Sequence, residues 1–243
     1  MIGFIMDFLL YTTIGFLIYF NILIFCKSYR APYPSNVDLM PLARNETPFS
    51  ASEKALALEE ALIKLDFHIL GYTVLRSRDN TFTMVFNHPK NRVICLVYLN
   101  EKAKNIAYEF FLEPLSGKDI LIASSDMPLT FDSAERDFYR ISPNLTITLA
   151  YLSIFQRINN DDLQALPDTI EEFLHFLSNY LQHDASQKTQ LGLLSKTKEK
   201  QEFQNISLKG ALTVLLRSGI PTGFYFVHKQ YNRFNHVFLN NKA

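Results

Sequence analysis

The sequence lacks the features that mark several broad classes of protein. Two cysteines, Cys26 and Cys95, are too few for a disulfide framework or a cysteine-rich zinc site. Eight glycines and ten prolines in 243 residues exclude collagen-like and low-complexity chains. With 24 basic and 24 acidic side chains, the formal net charge is zero, which argues against a protein built to coat nucleic acid. Hydrophobic residues make up 48% of the chain, too many for a disordered protein.

Short motifs of common catalytic sites are also missing. The chain contains no GxSxG, GxxxxGK[ST] or GxGxxG segment, which are the signatures of serine hydrolases, P-loop proteins and dinucleotide-binding proteins. None of the six histidines stands in an HExxH motif or another metal-ligand spacing. Cys95 lies inside VICLVYL, where we expect a buried thiol with a raised pKa. The sequence therefore predicts no catalytic residue, no metal site and no cofactor.

A long hydrophobic run at the beginning of the chain is the clearest signal present. Nineteen residues from Phe8 to Cys26 carry no charge, and a helix of that length spans about 28 Å, close to the hydrocarbon thickness of a bilayer. Leucine, isoleucine and phenylalanine occupy every side of such a helix. Residues 1–26 are therefore predicted to form a transmembrane anchor, with residues 8–26 embedded in the membrane.

A cleaved signal peptide is the alternative interpretation of the same run. It requires a basic segment before the apolar stretch and a cleavage site between small residues. Residues 1–7 contain Asp7 and no lysine or arginine, and no small-x-small pattern follows. The flanks also predict orientation, because Lys27, Arg30 and Arg44 follow the run. By the positive-inside rule we expect a single-pass protein of the cell (inner or plasma) membrane, with its N-terminus outside and the rest in the cytoplasm.

The remaining chain is predicted to have three parts. Residues 27–49 hold four of the ten prolines and are expected to form a tether that is semi-extended or lies across the domain surface. Residues 50–125 begin with a helix over 51–65, for which Ser50 and Glu53 form a capping box. Residues 126–243 contain an acidic loop, a helical region and a basic aromatic end, and we expect them to form one globular unit with 50–125.

Five β-rich runs follow the first helix of the domain. They are joined by short polar connections, which permit hairpins and exclude parallel crossovers. The runs span residues 67–76, 81–87, 92–99, 105–112 and 119–124. The fold class predicted is therefore α+β: an N-terminal transmembrane helix, a helix packed on an antiparallel β-meander of about five strands, and C-terminal helices.

The C-terminal helices are predicted from spacing and caps. A loop over 125–143 precedes an apolar helix over 144–158, and Asp168 opens an amphipathic helix. Residues 186–204 are polar and mixed in charge, and 207–218 indicate a short helix ended by glycine and proline. The final aromatic stretch is predicted to be a strand or a hairpin.

Charge is unevenly distributed along the chain. Residues 105–187 have 4 basic and 13 acidic side chains, a net charge of −9, whereas residues 188–243 have 9 and 2, a net charge of +7. One interpretation is that the basic end folds back against the acidic middle. Another is a basic aromatic surface that contacts anionic lipid headgroups, with specific nucleic acid binding less expected. The residues assigned to such a membrane or anion surface are Lys209, Arg217, Lys229 and Arg233.

The acidic loop supplies the remaining candidate site. Its sequence, DMPLTFDSAERDFYR, does not match the calcium-binding loop pattern. Binding residues often lie on loops held by rigid elements, so Asp126, Arg136 and Arg140 are the candidate binding residues. The function expected is a membrane-anchored binding or assembly module with an unknown protein partner. The alternatives are a membrane-tethered hydrolase or transferase acting on lipid or peptide, and a reader of anionic lipid surfaces through the basic C-terminal segment.

Overall fold

A computed structural model of the chain describes residues 2–35, 39–76, 80–100, 106–124, 136–196 and 202–240. The helices are α1 (Ile2–Ser28), α2 (Glu53–Ile63), α3 (Ile147–Phe155), α4 (Ile170–Gln190), α5 (Leu208–Ser218) and α6 (Thr222–Phe234). The strands are β1 (Pro32–Pro34), β2 (Pro41–Leu42), β3 (His68–Leu75), β4 (Thr81–His88), β5 (Val93–Asn100), β6 (Ile106–Leu112), β7 (Asp119–Ala123), β8 (Arg136–Arg140) and β9 (Phe203–Asn205). Short 3₁₀ helices span Arg44–Glu46, Pro48–Ala51 and Asn160–Asp162, and a π-helix spans Asn235–Asn240.

The chain divides into two units, each with its own hydrophobic core. Among the described residues, we call the group formed by 2–35, 182–196 and 202–228 the helical unit. The group formed by 39–124, 136–181 and 229–240 is the sheet unit. The predicted tether contributes β1 to the helical unit and β2 to the sheet unit, so two short pieces of it are paired into sheets.

The sheet unit is built on seven strands in the order β2-β3-β4-β5-β6-β7-β8. All neighbours are antiparallel except β7 and β8, which are parallel. This confirms the predicted α+β class and its antiparallel meander, and it adds a strand at each edge. One cross-strand row, in which each residue faces its partner, runs through the core; it consists of Phe86, Cys95, Phe110, Ile122 and Tyr139.

Helices cover both faces of this sheet. The face that carries Phe110 packs against α2, α3 and the π-helix, which contribute Leu62, Tyr151 and Phe238 to the same core. Side chains alternate between faces along a strand, so Phe111 points the other way. There its ring contacts Phe176 of α4, with ring centroids 5.5 Å apart. The first half of α4 therefore covers the second face.

The helical unit is organised around the C-terminal part of α1. Helix α5 packs along α1, and β1 pairs with β9. The Asn21 side chain donates to the Ile220 carbonyl and accepts from the Ile220 amide, both at 3.0 Å. Phe25 packs on a small core that includes Ala185 and Ala211.

Most of α1 projects away from that core. The segment Phe8–Ser28 is 21 residues long and is apolar enough to cross a membrane, and none of its most apolar stretch is buried inside the chain. The same test is passed by signal sequences, which also stand near an N-terminus. The predicted apolar helix is therefore present, and most of its described side chains are exposed.

Several local predictions were wrong. Helix α2 is capped by Ser52, whose hydroxyl accepts from the Ala55 amide, because a 3₁₀ turn over Pro48–Ala51 delays the start expected at Ser50. Residues 136–140 form strand β8 where a loop was predicted. It pairs with β7 and forms the edge of the sheet, and local sequence does not reveal that parallel partner.

The C-terminal third also differs from prediction. Helix α4 continues to Gln190, into the polar, mixed-charge segment 186–204, because Ala185 and Lys188 are buried on its inner side. The final aromatic stretch is helical instead of a strand or hairpin. Phe234 and Phe238, four residues apart, are both buried and in contact, so burial on one helical face outweighs the β propensity of aromatic residues.

Candidate functional site

A polar cluster lies on the second face of the seven-stranded sheet. The strand register aligns Glu109 of β6, Ala123 of β7 and Arg140 of β8 in one cross-strand row. Arg136, four residues before Arg140 on β8, shares that face because strand side chains alternate. Two of the three predicted binding residues are therefore on the same face as a buried carboxyl group. Asp126 lies outside the described residues.

Glu109 and Tyr98 form the centre of this polar cluster. Glu109 is 8% exposed, and the Tyr98 hydroxyl donates to its Oε1 atom. Burial raises the pKa of Glu109 above its ordinary value, although the Tyr98 bond and the positive charge of Arg136 both oppose the shift. Burial also raises the pKa of Tyr98, and the neighbouring carboxyl adds to that effect. The pair is therefore suited to holding a proton at a pH where an exposed glutamate has lost it.

The two arginines have different surroundings. The guanidinium of Arg136 stacks over the Tyr180 ring of α4, 4.5 Å from its centroid. Arg140 is 2% exposed; its Nε donates to Gln230 Oε1 at 3.1 Å and its Nη1 donates to the Ser124 carbonyl at 3.4 Å. Their positions suit the neutralisation of buried acidic groups, and both are covered by elements of the same chain. Their role in binding stays a prediction.

A second polar network lies in the core on the other face. His88 accepts from the Asn91 amide at 3.3 Å, and the Asn91 side chain donates to the Tyr151 hydroxyl. Asn160 completes the network by donating to Asn91 Oδ1 at 3.0 Å. Burial lowers the pKa of His88, which favours a neutral ring. These groups satisfy one another, as buried polar groups must, and so hold the β4–β5 connection against α3.

Cys95 belongs to the same core face and shows no nucleophilic activation. Its side chain is fully buried, and burial raises the pKa of its thiol well above the ordinary value. This confirms the expectation of a buried thiol. Within the described ranges, no group of three or more histidine, cysteine, aspartate or glutamate side chains is arranged to hold a metal ion.

The helical unit contains a buried ionic cluster that the sequence did not indicate. Lys188 Nζ lies 2.5 Å from Asp184 Oδ2, with the two side chains 4% and 8% exposed. The Tyr33 hydroxyl donates to Asp184 Oδ2 at 2.5 Å, and Lys188 donates to the Tyr33 oxygen at 2.7 Å. In the sequence, this pair is marked only by the four-residue spacing of Asp184 and Lys188, and solvent-exposed ion pairs on helices have the same spacing. The cluster ties β1 to the second half of α4.

The four predicted surface cations fall in two places. Lys209 and Arg217 lie on α5 in the helical unit, and Lys209 donates to the Leu191 carbonyl at 2.7 Å. Lys229 and Arg233 lie on α6, in its part that belongs to the sheet unit. Arg233 pairs with Asp137 at 2.8 Å and stacks over the Tyr139 ring, so part of the basic end does meet the acidic middle. A lipid-facing role for these residues stays a prediction.

A groove on the sheet unit is lined mainly by α2 residues and by one residue of α3. It is open and partly apolar, and its lining residues are Ala57, Glu60, Ala61, Lys64, Leu65 and Thr148. Its two charged side chains pair with each other, with Lys64 Nζ 2.6 Å from Glu60 Oε1. This geometry suits contact with another surface better than the enclosure of a small substrate.

Comparisons with protein-family models, with curated proteins and with solved structures find no match to this chain. The class of the protein is therefore defined by its own features: an α+β chain with an exposed apolar helix near the N-terminus.

Proposed function

We propose that this chain is a single-pass membrane protein whose α+β part serves in the cytoplasm as a binding or assembly module. The observation that carries the proposal is the exposure of α1. Among its described side chains, twelve large apolar or aromatic ones are exposed, including Phe16 and Tyr19 at 60% and 61%. Covering one such side chain contributes about 1.5–3 kcal/mol, so an aqueous environment is strongly disfavoured and a lipid environment is favoured.

Contacts at the end of α1 favour a retained anchor over a removable leader. The Asn21 side chain binds the Ile220 backbone through two hydrogen bonds, and Phe25 packs on the core of the helical unit. Cleavage near residue 26 would remove both groups and leave their partners unsatisfied. A leader that is discarded has no reason to make such contacts with the mature chain.

The charges around α1 support the proposed orientation. Lys27 and Arg30, both exposed, follow the apolar segment directly, and Arg44 lies further along. Only Asp7 is charged on the other side. The positive-inside rule then favours a cytoplasmic sheet unit and an external N-terminus.

Two features of the sheet unit favour binding over catalysis. Both faces of the sheet are covered by helices of the same chain, and the buried carboxyl of Glu109 lies beneath one of these layers. The polar network around Asn91 is internally paired and explains the burial of His88 by packing. Such groups fix the shape of a scaffold on which outer surfaces are free to engage a partner.

Cysteine accessibility tests the proposed topology. In a Cys26→Ser background the buried Cys95 serves as an unreactive residue, and single cysteines are placed by Met6→Cys or Leu115→Cys at positions 66% and 63% exposed. We expect a membrane-impermeant maleimide to label Met6→Cys in intact cells and Leu115→Cys only after permeabilisation. Labelling of Leu115→Cys in intact cells would contradict the cytoplasmic location.

Cross-linking tests the binding role separately. Intact membranes that contain the tagged full chain are treated with a cross-linker, dissolved in detergent and purified through the tag. We expect one or a few proteins to be recovered reproducibly. Repeated recovery of the chain alone, with a correct topology established, would argue against a binding or assembly module.

A further inference from the structure

We infer that α5 and the turn after it enter the lipid leaflet beside the C-terminal third of α1, as a shallow membrane-inserted hairpin of the helical unit. The inference rests on the proposed membrane anchor and adds a second membrane-contacting element to it. Three observations carry it: the depth that the contacts impose, the apolar surface that α5 exposes, and the position of the basic residues.

Contacts at both ends of α5 fix its position along α1. Near its start, the Arg30 amide donates to the Ile206 carbonyl at 3.0 Å, and the Ile206 amide donates to the Ala31 carbonyl at 2.9 Å. Near its end, Asn21 holds the Ile220 backbone. Helix α5 therefore runs antiparallel to α1. Its end lies level with Asn21, which is five residues before Cys26, the last residue of the charge-free segment. Five residues of helix correspond to a depth of about 8 Å.

Close packing supports this placement. A Cβ atom at Gly219 would lie 2.5 Å from Asn21 Oδ1, so the turn approaches α1 as closely as only glycine permits. The next turn stays at the same level, because the Gly223 amide donates to the Gly219 carbonyl at 2.5 Å. A depth of about 8 Å falls within the range of roughly 5–10 Å over which interfacial helices bury their apolar faces.

The surface that α5 turns away from α1 is apolar. Leu208, Leu212 and Leu216 recur every four residues and are 57%, 46% and 62% exposed. Phe224 and Tyr225, just after the turn, are 70% and 64% exposed. Residues 210–227 contain one charged side chain, Arg217. A stripe of this size is costly in water and is what an interfacial helix presents to acyl chains.

The basic residues are placed where lipid headgroups would be. Lys209, at the start of α5, lies near the level of Arg30. Lys27 lies on the last turn of α1, three residues before Arg30. These three cations suit the phosphates of anionic headgroups. Arg217 lies deeper, but its long side chain can extend toward the headgroups, and the penalty for a charge is lower near the interface than at the bilayer centre.

The chain contains no tryptophan, so single indoles report on chosen positions without background. We would reconstitute the full chain in vesicles of phosphatidylcholine with phosphatidylglycerol and compare Leu216→Trp with two controls. Phe16→Trp, at a 60% exposed position of α1, reports on lipid, and Leu115→Trp, at a 63% exposed position of the sheet unit, reports on water. Phe224→Trp is a second test position in case Leu216→Trp fails to fold.

We expect the Leu216→Trp indole to emit at short wavelength and to be quenched by lipids brominated near the headgroup. The Phe16→Trp indole, about 15 Å along the helix from Cys26, should be quenched by lipids brominated near the acyl-chain ends. We expect aqueous iodide to quench only Leu115→Trp. Quenching of Leu216→Trp by iodide would overturn the inference. If brominated lipid quenches Phe16→Trp under the same conditions, the anchor itself still holds. Shielding of Leu216→Trp from both quenchers would also overturn it, since a second copy or another protein would then cover the stripe. Failure of brominated lipid to quench Phe16→Trp would refute the anchor itself.

Discussion

The buried ion pair of the helical unit gives the sharpest energetic prediction. Asp184 and Lys188 are separated by 2.5 Å and are 8% and 4% exposed, and the Tyr33 hydroxyl bridges them. In Asp184→Ala the Lys188 ammonium stays buried beside a neutral hydroxyl. Breaking a buried pair by removing one partner costs about 3–5 kcal/mol, because the remaining charge has lost both water and its counter-ion.

The double substitution separates this penalty from the net worth of the pair. Asp184→Leu combined with Lys188→Met removes both charges and keeps similar volumes, and such replacements are near neutral or stabilising. We therefore expect the double variant to be markedly more stable than Asp184→Leu alone or Lys188→Met alone. The exposed pair formed by Glu60 and Lys64 is the control, because Lys64→Met should leave stability unchanged.

Hydrogen–deuterium exchange of the full chain in detergent measures these effects locally. In Asp184→Ala we expect faster exchange in the second half of α4, in β1 and in β9, with strands β4 and β5 protected as in the wild type. A loss of local opening free energy below about 1 kcal/mol in Asp184→Ala would refute the argument, since solvent-exposed ion pairs contribute that little. So would a double variant whose loss equals the sum of the single losses, because the two residues would then be uncoupled.

Two further predictions concern the sheet unit. The folded-state pKa of Glu109 is raised, so its ionisation lowers stability as the pH rises from the unfolded value of 4.5 to the raised folded-state pKa, and the loss is constant above that. Glu109→Gln keeps an acceptor for Tyr98, and its free energy of unfolding should therefore increase relative to that of the wild type as the pH rises. Urea unfolding followed by circular dichroism measures both; a difference between them that does not change with pH would contradict this. At Gly71 a Cβ atom would lie 2.8 Å from Ile170 Cγ1, so Gly71→Ala should cost about 1–3 kcal/mol by overpacking. Adding Ile170→Ala should recover part of the Gly71→Ala loss, and the absence of recovery would exclude the clash as its cause.

The meander could be predicted because its signals are local. Alternating apolar residues and connections of a few residues define each hairpin, and β3 to β7 begin and end within two residues of the expected positions. The two outer strands depend on partners elsewhere. Strand β2 has only Pro41 and Leu42, and β8 is joined in parallel to β7, which no hairpin signal can indicate.

The C-terminal helix was misassigned because propensity was weighed above periodicity. Tyr231, Phe234 and Phe238 recur at intervals of three and four residues, which is a helical spacing that the sequence already contained. The aromatic content of the same stretch favours strands, and it decided the wrong prediction. Periodicity carries the burial pattern and is the more reliable guide in such a segment.

The candidate sites were less predictable than the fold. Arg136 and Arg140 were chosen from a loop that proved to be a strand, and their common face follows from the strand alternation. Glu109 was not chosen, because its burial depends on the coverage of the second sheet face by α4. Lys188 was missed for a similar reason: a four-residue spacing does not reveal which side of a polar helix is covered.

The central claim is that α1 resides in lipid, and extraction of membranes from cells that express the full chain tests it most directly. Alkaline carbonate releases peripheral proteins, whereas a helix with the exposed apolar surface of Phe8–Ser28 should stay in the membrane pellet. We predict that the chain remains in the pellet after carbonate treatment and enters the supernatant only with detergent. Release of the intact chain by carbonate alone would contradict the account.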